Sequence, residues 1–433
     1  MPPSNPARFA RGAVAVVVLF AAHARGAPPP ATPLTLDAAI AAARQHNPAL
    51  AASSGRIAEA RAAVTGARAP LADNPELALS VGPRLSRGDA RLALEVAVEQ
   101  RFETGGQRHL RLVSAEAGVD VAAALAEDTR RLLEAAVASA FFERLAAGRR
   151  LELLTQDEEM ARALRDVAQR RLDVGEGAAI TLSATRIRLA EAGRQTLVAR
   201  AERDGATVRL AALLGLPADT PLALAGSLPE GEAPPGADEL VTHAVASRPD
   251  VAALAHASGV AAADVDLADA DAWPDVTVGA GYAADDGDHL VTATVRVPLP
   301  FFDSNQGERA RARAVRARLE IQREGQRLAA DAEVRQALLA YAQARAALEL
   351  YDAEVLRAQD EALTLLRRAV EAGEVGIADV IVVQREVLEG RAGYLDARLA
   401  LAHARVQLLA AVNLSQTGSL ELPQPSVPPG DTP

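Results

Sequence analysis

Four short segments of the chain alternate apolar residues with polar or small ones. They lie at about residues 75–83, 90–101, 274–283 and 289–299. In the second segment, leucines and valines at the even positions 92–98 share one face, while alanines and glutamates at the odd positions 93–99 share the other. A period of two with one apolar face predicts β-strands.

Each pair of predicted strands is followed by a long segment rich in alanine, leucine, arginine and glutamate. Residues 305–371 contain no proline and only two glycines, Gly307 and Gly325. A helix of this length would extend roughly 100 Å at about 1.5 Å per residue, too far for one globular domain. We therefore expect long helices that pack against each other as coiled-coil hairpins. Thr104 is the expected N-cap of the first, and Ser304 or Asn305 that of the second.

This layout occurs twice, at a spacing of about 200 residues. Four landmarks recur in the same order, around Pro48 and Pro249, after Asn74 and Trp273, around Gly175 and Gly373, and up to Pro217 and Ser415. We assign residues 34–216 and 237–416 to two structural repeats, 217–236 to a linker rich in proline and glycine, and 417–433 to a C-terminal tail. Thr35 is expected to cap the first short helix.

The N-terminus has the pattern of a secretory signal peptide. Arg8 and Arg11 precede ten apolar residues (13–22), and Ala22-His23-Ala24 fits an A-x-A cleavage site. Residues 1–24 are therefore interpreted as the signal and 25–33 as a proline-rich lead. Ten residues are too few to span a bilayer as a helix. The alternative to a signal peptide is therefore a buried core helix. No other apolar run is expected to form a transmembrane helix.

The strands favour a membrane barrel over a soluble sandwich, which would alternate in the same way. Their lengths suit tilted transmembrane strands, and their second face is small and acidic, as a water-filled lumen requires. Aromatic residues lie at or near the predicted strand ends, where an aromatic girdle belongs: Phe102, Trp273, Tyr282, Phe301 and Phe302. Four strands cannot close a barrel, and an open edge has no partners in lipid. The chain is therefore expected to oligomerise, with two copies giving eight strands and three giving twelve.

Composition and charge narrow the functional classes. The net charge is −11 with no basic cluster, which argues against nucleic acid as a partner. The absence of cysteine excludes disulfides, thiolate metal sites and cysteine nucleophiles. The histidines are dispersed, and no nucleophile–base arrangement is visible, so we predict no catalytic residues, no metal site and no cofactor. Asp285, Asp286 and Asp288 could ligate calcium, but a solvated turn between strands is the simpler interpretation.

The segment "LTLDAAIAAARQHNPAL", the duplicated strand–strand–long-helix layout and the paired glycine breaks resemble the TolC-like outer-membrane efflux channel family. The resemblance covers nearly all of the mature sequence. It implies a mostly α fold with a β-barrel portion: a homotrimer with a twelve-stranded barrel in the outer-membrane lipid and a periplasmic α-helical tunnel. It also implies partners, a periplasmic adaptor (membrane fusion) protein and an inner-membrane RND pump.

The segment "VPLPFFDSNQGERARA" looks most like the heavy-metal, CzcC-like branch of that family, which implies export of metal cations. A duct for drugs or peptides is the alternative within the class. A soluble periplasmic coiled-coil scaffold is the alternative outside it, and neither reading makes the chain an enzyme.

The resemblance places the periplasmic gate at the glycine breaks, at Gly175, Gly177, Gly373 and Gly376. Asp379 matches a gate aspartate, and copies of it in a trimer would form an acidic ring that attracts cations. The alternative is a first-turn residue favoured by the helix dipole.

Other gate positions of the family hold Val382, Val370 and Thr181 here, so the closed state is expected to depend more on packing than on charge. Arg171, Leu172 and Arg368 are the expected adaptor contacts. The alternative for the arginines is that they are solvated helix-end residues.

Overall fold

A computed structural model describes residues 33–86, 89–285, 288–351, 353–372 and 375–422. The predicted signal peptide, Gly373, Asp286 and the end of the tail lie outside these residues. The strands are β1 (Glu76–Ser86), β2 (Asp89–Phe102), β3 (Val276–Asp285) and β4 (Asp288–Arg296). The helices are α1 (Leu36–His46), α2 (Pro48–Ala67), α3 (Gln107–Asp173), α4 (Ala179–Leu213), α5 (Ala237–Ser247), α6 (Pro249–Ala270), α7 (Gln306–Glu349), α8 (Ala353–Ala372) and α9 (Ile377–Val412).

The two repeats begin in the same way, with a short helix followed by a second helix that starts at a proline. Thr35 caps α1 as expected, since its Oγ1 accepts a hydrogen bond from the Ala38 amide at 3.3 Å. Asn47 caps α2 by accepting from the Ala49 amide at 2.8 Å. Proline suits the first turn because the missing N–H would have no partner there.

The two repeats also end in the same way. Gly215, after α4, has φ 71°, and Asn413, after α9, has φ 62°. These are left-handed conformations that glycine and asparagine tolerate best. A Cβ at Gly215 would overlap the His46 carbonyl, whereas the Asn413 side chain donates to the Ser247 carbonyl at 2.8 Å. Each repeat therefore closes onto its own first short helix.

The long helices do not begin with the expected side-chain caps. The N-cap residues of α3 and α7 are Gly106 (φ 77°) and Asn305 (φ 59°), and neither makes a capping side-chain hydrogen bond. A capping side chain needs an extended N-cap backbone, so the left-handed conformation rules this out. Thr104 instead donates to the Pro274 carbonyl at 2.9 Å, and Asn305 to the Ala268 carbonyl at 2.9 Å. The cap predictions were wrong because both side chains anchor the turn to the end of α6 and the start of β3.

The second repeat does not contain the single long helix that was expected. Whereas α3 runs unbroken for 67 residues, its counterpart is divided into α7 and α8. At the break, the Tyr351 amide donates to the Leu348 carbonyl, only three residues back, at 3.0 Å. The Tyr351 ring packs 5.8 Å from that of Tyr394, and its hydroxyl occupies the space where a Cβ of Gly393 would lie. Packing against α9 therefore interrupts a sequence that has no local helix breaker.

The four strands form one antiparallel sheet in the order β1-β2-β3-β4. The central pair, β2 and β3, joins the two repeats, and Leu79, Val96, Tyr282 and Val291 face one another across the sheet. The outer edges of β1 and β4 have no partner among the described residues. The predicted strands are confirmed, although β4 ends at Arg296, ahead of Pro298.

The helices form a layered bundle below the sheet. The α3 helix lies between α2, α4, α6 and α9, while α7 packs on α6 and α9. One core surrounds Val137, Phe141 and Leu210, and a second surrounds Val334, Tyr341 and Leu408. The first core includes Ala402 and Val406 of α9, so the last helix of the second repeat contributes to both cores.

Among the described residues, one helix, α6, is long and apolar enough to cross a membrane by length and composition, with a mean hydropathy of 1.3. The expectation that no second segment would pass this criterion was wrong. However, α6 packs along α3 and α7. Asp250 and Asp269 at its two ends form ion pairs with Arg248 and Arg309. These contacts make α6 a member of the helical bundle.

Candidate functional site: channel wall and helix tips

One face of the sheet is apolar and uncovered. The register aligns leucine, valine, alanine and tyrosine side chains from all four strands on this face. Leu77 is 70% exposed, Val291 77% and Val295 68%, because no other element within the described ranges packs on them. An exposed apolar surface that crosses a whole sheet marks contact with lipid or with another protein.

The opposite face of the sheet is polar and small. Thr292, Thr294, Ala97 and Gly281 lie here, and the charged groups lie among them. Arg296 on β4 donates from Nη1 and Nη2 to the two carboxylate oxygens of Glu99 on β2, at 2.7 and 3.0 Å. The pair crosses β3 because Gly279 lies between them, and a Cβ there would approach the Glu99 Cγ to 2.9 Å. This face suits water.

Four of the five candidate girdle residues lie at the end of the sheet that joins the helices. Phe102 ends β2, Trp273 precedes β3, and Phe301 and Phe302 follow β4, all of them exposed. Tyr282 is placed differently, level with Val96 in the middle of β2. Its hydroxyl lies 2.6 Å from Nδ1 of His289.

Charged side chains join the sheet to the helices. Arg101 at the end of β2 binds Asp275 at 3.0 Å, and Arg111 of α3 binds Glu103. Asp271 lies beside these groups, and burial, together with the nearby charges of Asp275 and Glu103, raises its pKa. The junction is therefore a network of charges that fixes how the long helices leave the sheet.

The first helix tip, between α3 and α4, depends on two glycines for different reasons. Gly175 has φ 81°, and the Glu176 amide donates to the Arg171 carbonyl at 2.9 Å, which closes the end of α3. Gly177 has no room for a side chain, because a Cβ would lie 2.8 Å from the Leu172 nitrogen. The turn can therefore form only with glycine at both positions.

The second tip is described from Val375 onward. Gly376 is the N-cap of α9 in an extended conformation. Asp379 is exposed in the first turn of α9, and its Oδ2 lies 3.0 Å from where a Cβ of Gly376 would be. The carboxylate thus folds over the start of the helix, where the dipole favours a negative charge.

The candidate adaptor contacts have different surroundings. Leu172 is half-buried and packs against a cluster that unites the two tips, formed by Ala168, Leu182 and Ile377. Arg171 is half-buried and Arg368 is exposed.

Sequence reasoning missed a buried charge cluster above the tips. Asp157 of α3 is 5% exposed, and Arg188 of α4 binds both of its oxygens at 2.6 Å. Gln384 of α9 donates to Asp157 Oδ1 at 2.7 Å. One carboxylate therefore ties three helices together about 24 Å along α3 from the tip, and the expectation that packing outweighs charge at the gate itself stays a prediction.

The sequence model of the family "outer membrane efflux protein" matches residues 39–216 and 240–414. The chain belongs to this family. Its two matched stretches coincide closely with the two structural repeats. An outer membrane efflux protein is a channel of the outer membrane, and its long helices form a periplasmic tunnel.

Three curated proteins are similar to this chain over most of their length. The cobalt-zinc-cadmium resistance protein CzcC of Cupriavidus metallidurans is 27% identical over 370 residues, covering 84% of this chain and 86% of that protein. Protein CyaE of Bordetella pertussis is 30% identical over 417 residues, covering 89% and 85%. The pyoverdine export outer membrane protein OpmQ of Pseudomonas putida is 25% identical over 406 residues, covering 87% and 85%.

A solved structure gives the same fold. The outer membrane protein VceC of Vibrio cholerae superimposes with a TM-score of 0.70 at 18% identity, covering 88% of this chain and 96% of that one. The resemblance to TolC-like channels is thereby confirmed for the family and the fold.

Proposed function

We propose that three copies of this efflux protein form the exit duct of a tripartite system that exports heavy-metal cations. In this arrangement β4 of each copy pairs with β1 of the next and closes a twelve-stranded barrel. The uncovered apolar face and the two open edge strands support this assembly, since an unpaired edge is not tolerated in lipid. The α-helices continue the duct into the periplasm.

Metal cations are the proposed cargo because of the similarity to CzcC, whose name states resistance to cobalt, zinc and cadmium. The polar face of the sheet, which would line the pore, is compatible with this cargo. It carries Glu95 and Glu99, of which only Glu99 has an ion-pair partner among the described residues. Such a duct performs no catalysis, and energy for export comes from an inner-membrane RND pump.

The helix tips are the proposed gate and docking end. Gly175, Gly177, Gly373 and Gly376 shape the turns, and three copies of Asp379 form an acidic ring at the entrance. Arg171 and Arg368 contact a periplasmic adaptor. The half-burial of Leu172 supports a role in holding the two tips together.

Deleting the gene in the producing bacterium tests the cargo. We expect greater growth inhibition by cobalt, zinc or cadmium salts, with tolerance restored by the intact gene. Unchanged metal tolerance together with reduced siderophore secretion would instead support the second candidate, export of an organic molecule. That candidate rests on the similarity to OpmQ.

The mass of the particle extracted in mild detergent tests the assembly. Three chain masses support the barrel, each chain being 45.1 kDa before removal of a signal peptide. Recovery of a monomer or dimer without detergent would contradict it and leave the soluble scaffold.

A further inference from the structure

One cavity lies far from the channel wall, where α3 and α4 meet the linker between the repeats. Its volume is about 710 Å³, and Arg144, Gly148, Arg203 and Gly226 contribute to its lining. That volume falls in the range of small-molecule sites. Neither the wall nor the gate involves this cavity.

Arg144 lies in this cavity without a counter-charge. Its side chain is half-buried, and its Nε donates to Thr207 Oγ1 at 2.6 Å. Among the described residues, no carboxylate lies within ion-pair distance of its guanidinium. Burial and the charge of Arg203 lower the pKa of Arg144, while the charge of Asp204 opposes this shift. A cation in this position gains stability from any anion that reaches it.

The other charges of the cavity are already balanced or distant. Arg149 pairs with Glu152 at 2.9 Å, and Arg203 pairs with Asp204 at 2.6 Å. Glu159 lies fifteen residues beyond Arg144, about 22 Å along the helix. Among the described residues of this lining, Arg144 is therefore the cation without an ion-pair partner, and Arg203, whose charge Asp204 offsets, lies beside it.

The backbone around Arg144 leaves room for its guanidinium. Gly148, one turn further along α3, has no Cβ, and one placed there would lie 3.1 Å from Nη1 of Arg144. Glycine is unfavourable in a helix interior, yet it stands here in the middle of α3. Thr207 therefore holds Nε, and the missing Cβ at Gly148 leaves space beside Nη1.

We propose that Arg144 and Arg203 form an anion-binding site that takes a carboxylate or phosphate group on the periplasmic body of the protein. A guanidinium matches both groups through paired N–H donors. The size of the cavity accommodates a group carried by a larger molecule, such as the free carboxylates of cell-wall stem peptides, as well as inorganic phosphate. The proposal is independent of the cargo and of the gate.

Calorimetric titration of the intact particle in detergent tests the site, with inorganic phosphate and soluble muropeptides as separate probes. We expect saturable binding of at least one probe at one site per chain, and the probe that binds identifies the source of the anion. Arg144→Gln should weaken binding by about tenfold or more, as expected for loss of a charged hydrogen-bonding partner. Gly148→Ala should weaken it less, because the methyl group shifts Nη1 of Arg144 by a few tenths of an ångström while every charge remains.

Arg209→Gln is the matched control, since Arg209 lies on α4, is exposed and pairs with Glu143 outside the cavity. It should bind like the wild type. If Arg144→Gln fails to assemble, Gly148→Ala decides the outcome alone. The proposal is overturned if neither probe binds the wild type, or if the assembled Arg144→Gln or Gly148→Ala variant binds as tightly as the wild type. That result would leave the proposed channel function standing, because that function rests on the sheet and the helix tips.

Discussion

The depth of the apolar face in the membrane makes a quantitative prediction for Val96→Arg. Val96 is the eighth of the 14 residues of β2 and lies level with Leu79 and Tyr282. It therefore lies near the middle of the apolar band. Val295 is on the same face but next to last in β4, level with Val278.

The register gives the difference in depth between the two sites. Gln100 is the β2 residue opposite Val278, so four strand residues separate the level of Val96 from that of Val295. At about 3.3 Å per residue this is about 13 Å along the strand. On a single strand tilted by about 40° this amounts to about 10 Å along the membrane normal, and Val295 also lies next to the end of the sheet that joins the helices.

This separation sets the expected free energies. Arginine on the lipid face costs about 2–4 kcal/mol at the midplane and about 0–1 kcal/mol near an interface. Val96→Arg should therefore lower the folding equilibrium constant about 30- to 700-fold at 1.4 kcal/mol per tenfold change, and Val295→Arg should lower it by less than about tenfold. Ala97→Arg is the matched control, because Ala97 lies on the polar face, opposite Gly281.

Urea unfolding from lipid vesicles, followed by the gel mobility of the folded particle, measures the three variants. The expected order of destabilisation is Val96→Arg, then Val295→Arg, then Ala97→Arg. Equal damage from Val96→Arg and Ala97→Arg would refute the assignment of the two faces. Equal damage from Val96→Arg and Val295→Arg would refute the assigned depth.

Three further predictions concern the helices. Asp157→Asn or Arg188→Gln should lower stability by about 3–5 kcal/mol, because each leaves a partner charge or polar group buried. Breaking the exposed Arg149–Glu152 pair should cost only about 0–1 kcal/mol. Thermal unfolding of the particle compares these variants, and similar losses would contradict the role of burial. Gly177→Ala should open the first tip, because the added Cβ would meet the backbone of Leu172. Limited proteolysis should then show faster cleavage at this tip. Gly118→Ala is the control, since open space surrounds Gly118, and it should leave cleavage unchanged. Burial raises the pKa of Asp250, but its hydrogen bond and attraction to Arg248 outweigh burial and leave the pKa below its ordinary value. The stability that this ion pair contributes should be fully present above about pH 4 and lost as the pH falls through the folded-state pKa. Melting temperatures measured down to pH 3 should therefore depend less on pH in Asp250→Asn than in the wild type.

The strands could be predicted from the sequence because alternation with a period of two is visible within a few neighbouring residues. A sheet with one apolar face requires every second residue of each strand to be apolar. The duplication could be predicted because its landmarks recur in the same order along the chain. One such pair of landmarks contains Gly215 and Asn413, which form equivalent left-handed turns at the ends of the repeats. In both cases nearby residues carry the information.

The remaining features depend on residues that only the folded chain brings together. Arg188 and Gln384 lie 31 and 227 positions from Asp157, so no spacing rule connects them. The break between α7 and α8 follows from the contact of Tyr351 with Tyr394 rather than from proline or glycine. The caps predicted at Thr104 and Asn305 do not form, because the N-cap backbone is left-handed and both side chains bind a neighbouring element instead.

The two open edges of the sheet have a kinetic consequence. A single chain cannot lower its free energy by entering lipid alone, because the backbone groups along β1 and β4 would lose water without gaining partners. Insertion and association must therefore occur together, so the rate of barrel formation should rise more steeply than linearly with chain concentration. Until its neighbours arrive, each newly exported chain has an apolar sheet in contact with water, and it is during this interval that a periplasmic chaperone or protease competes for it.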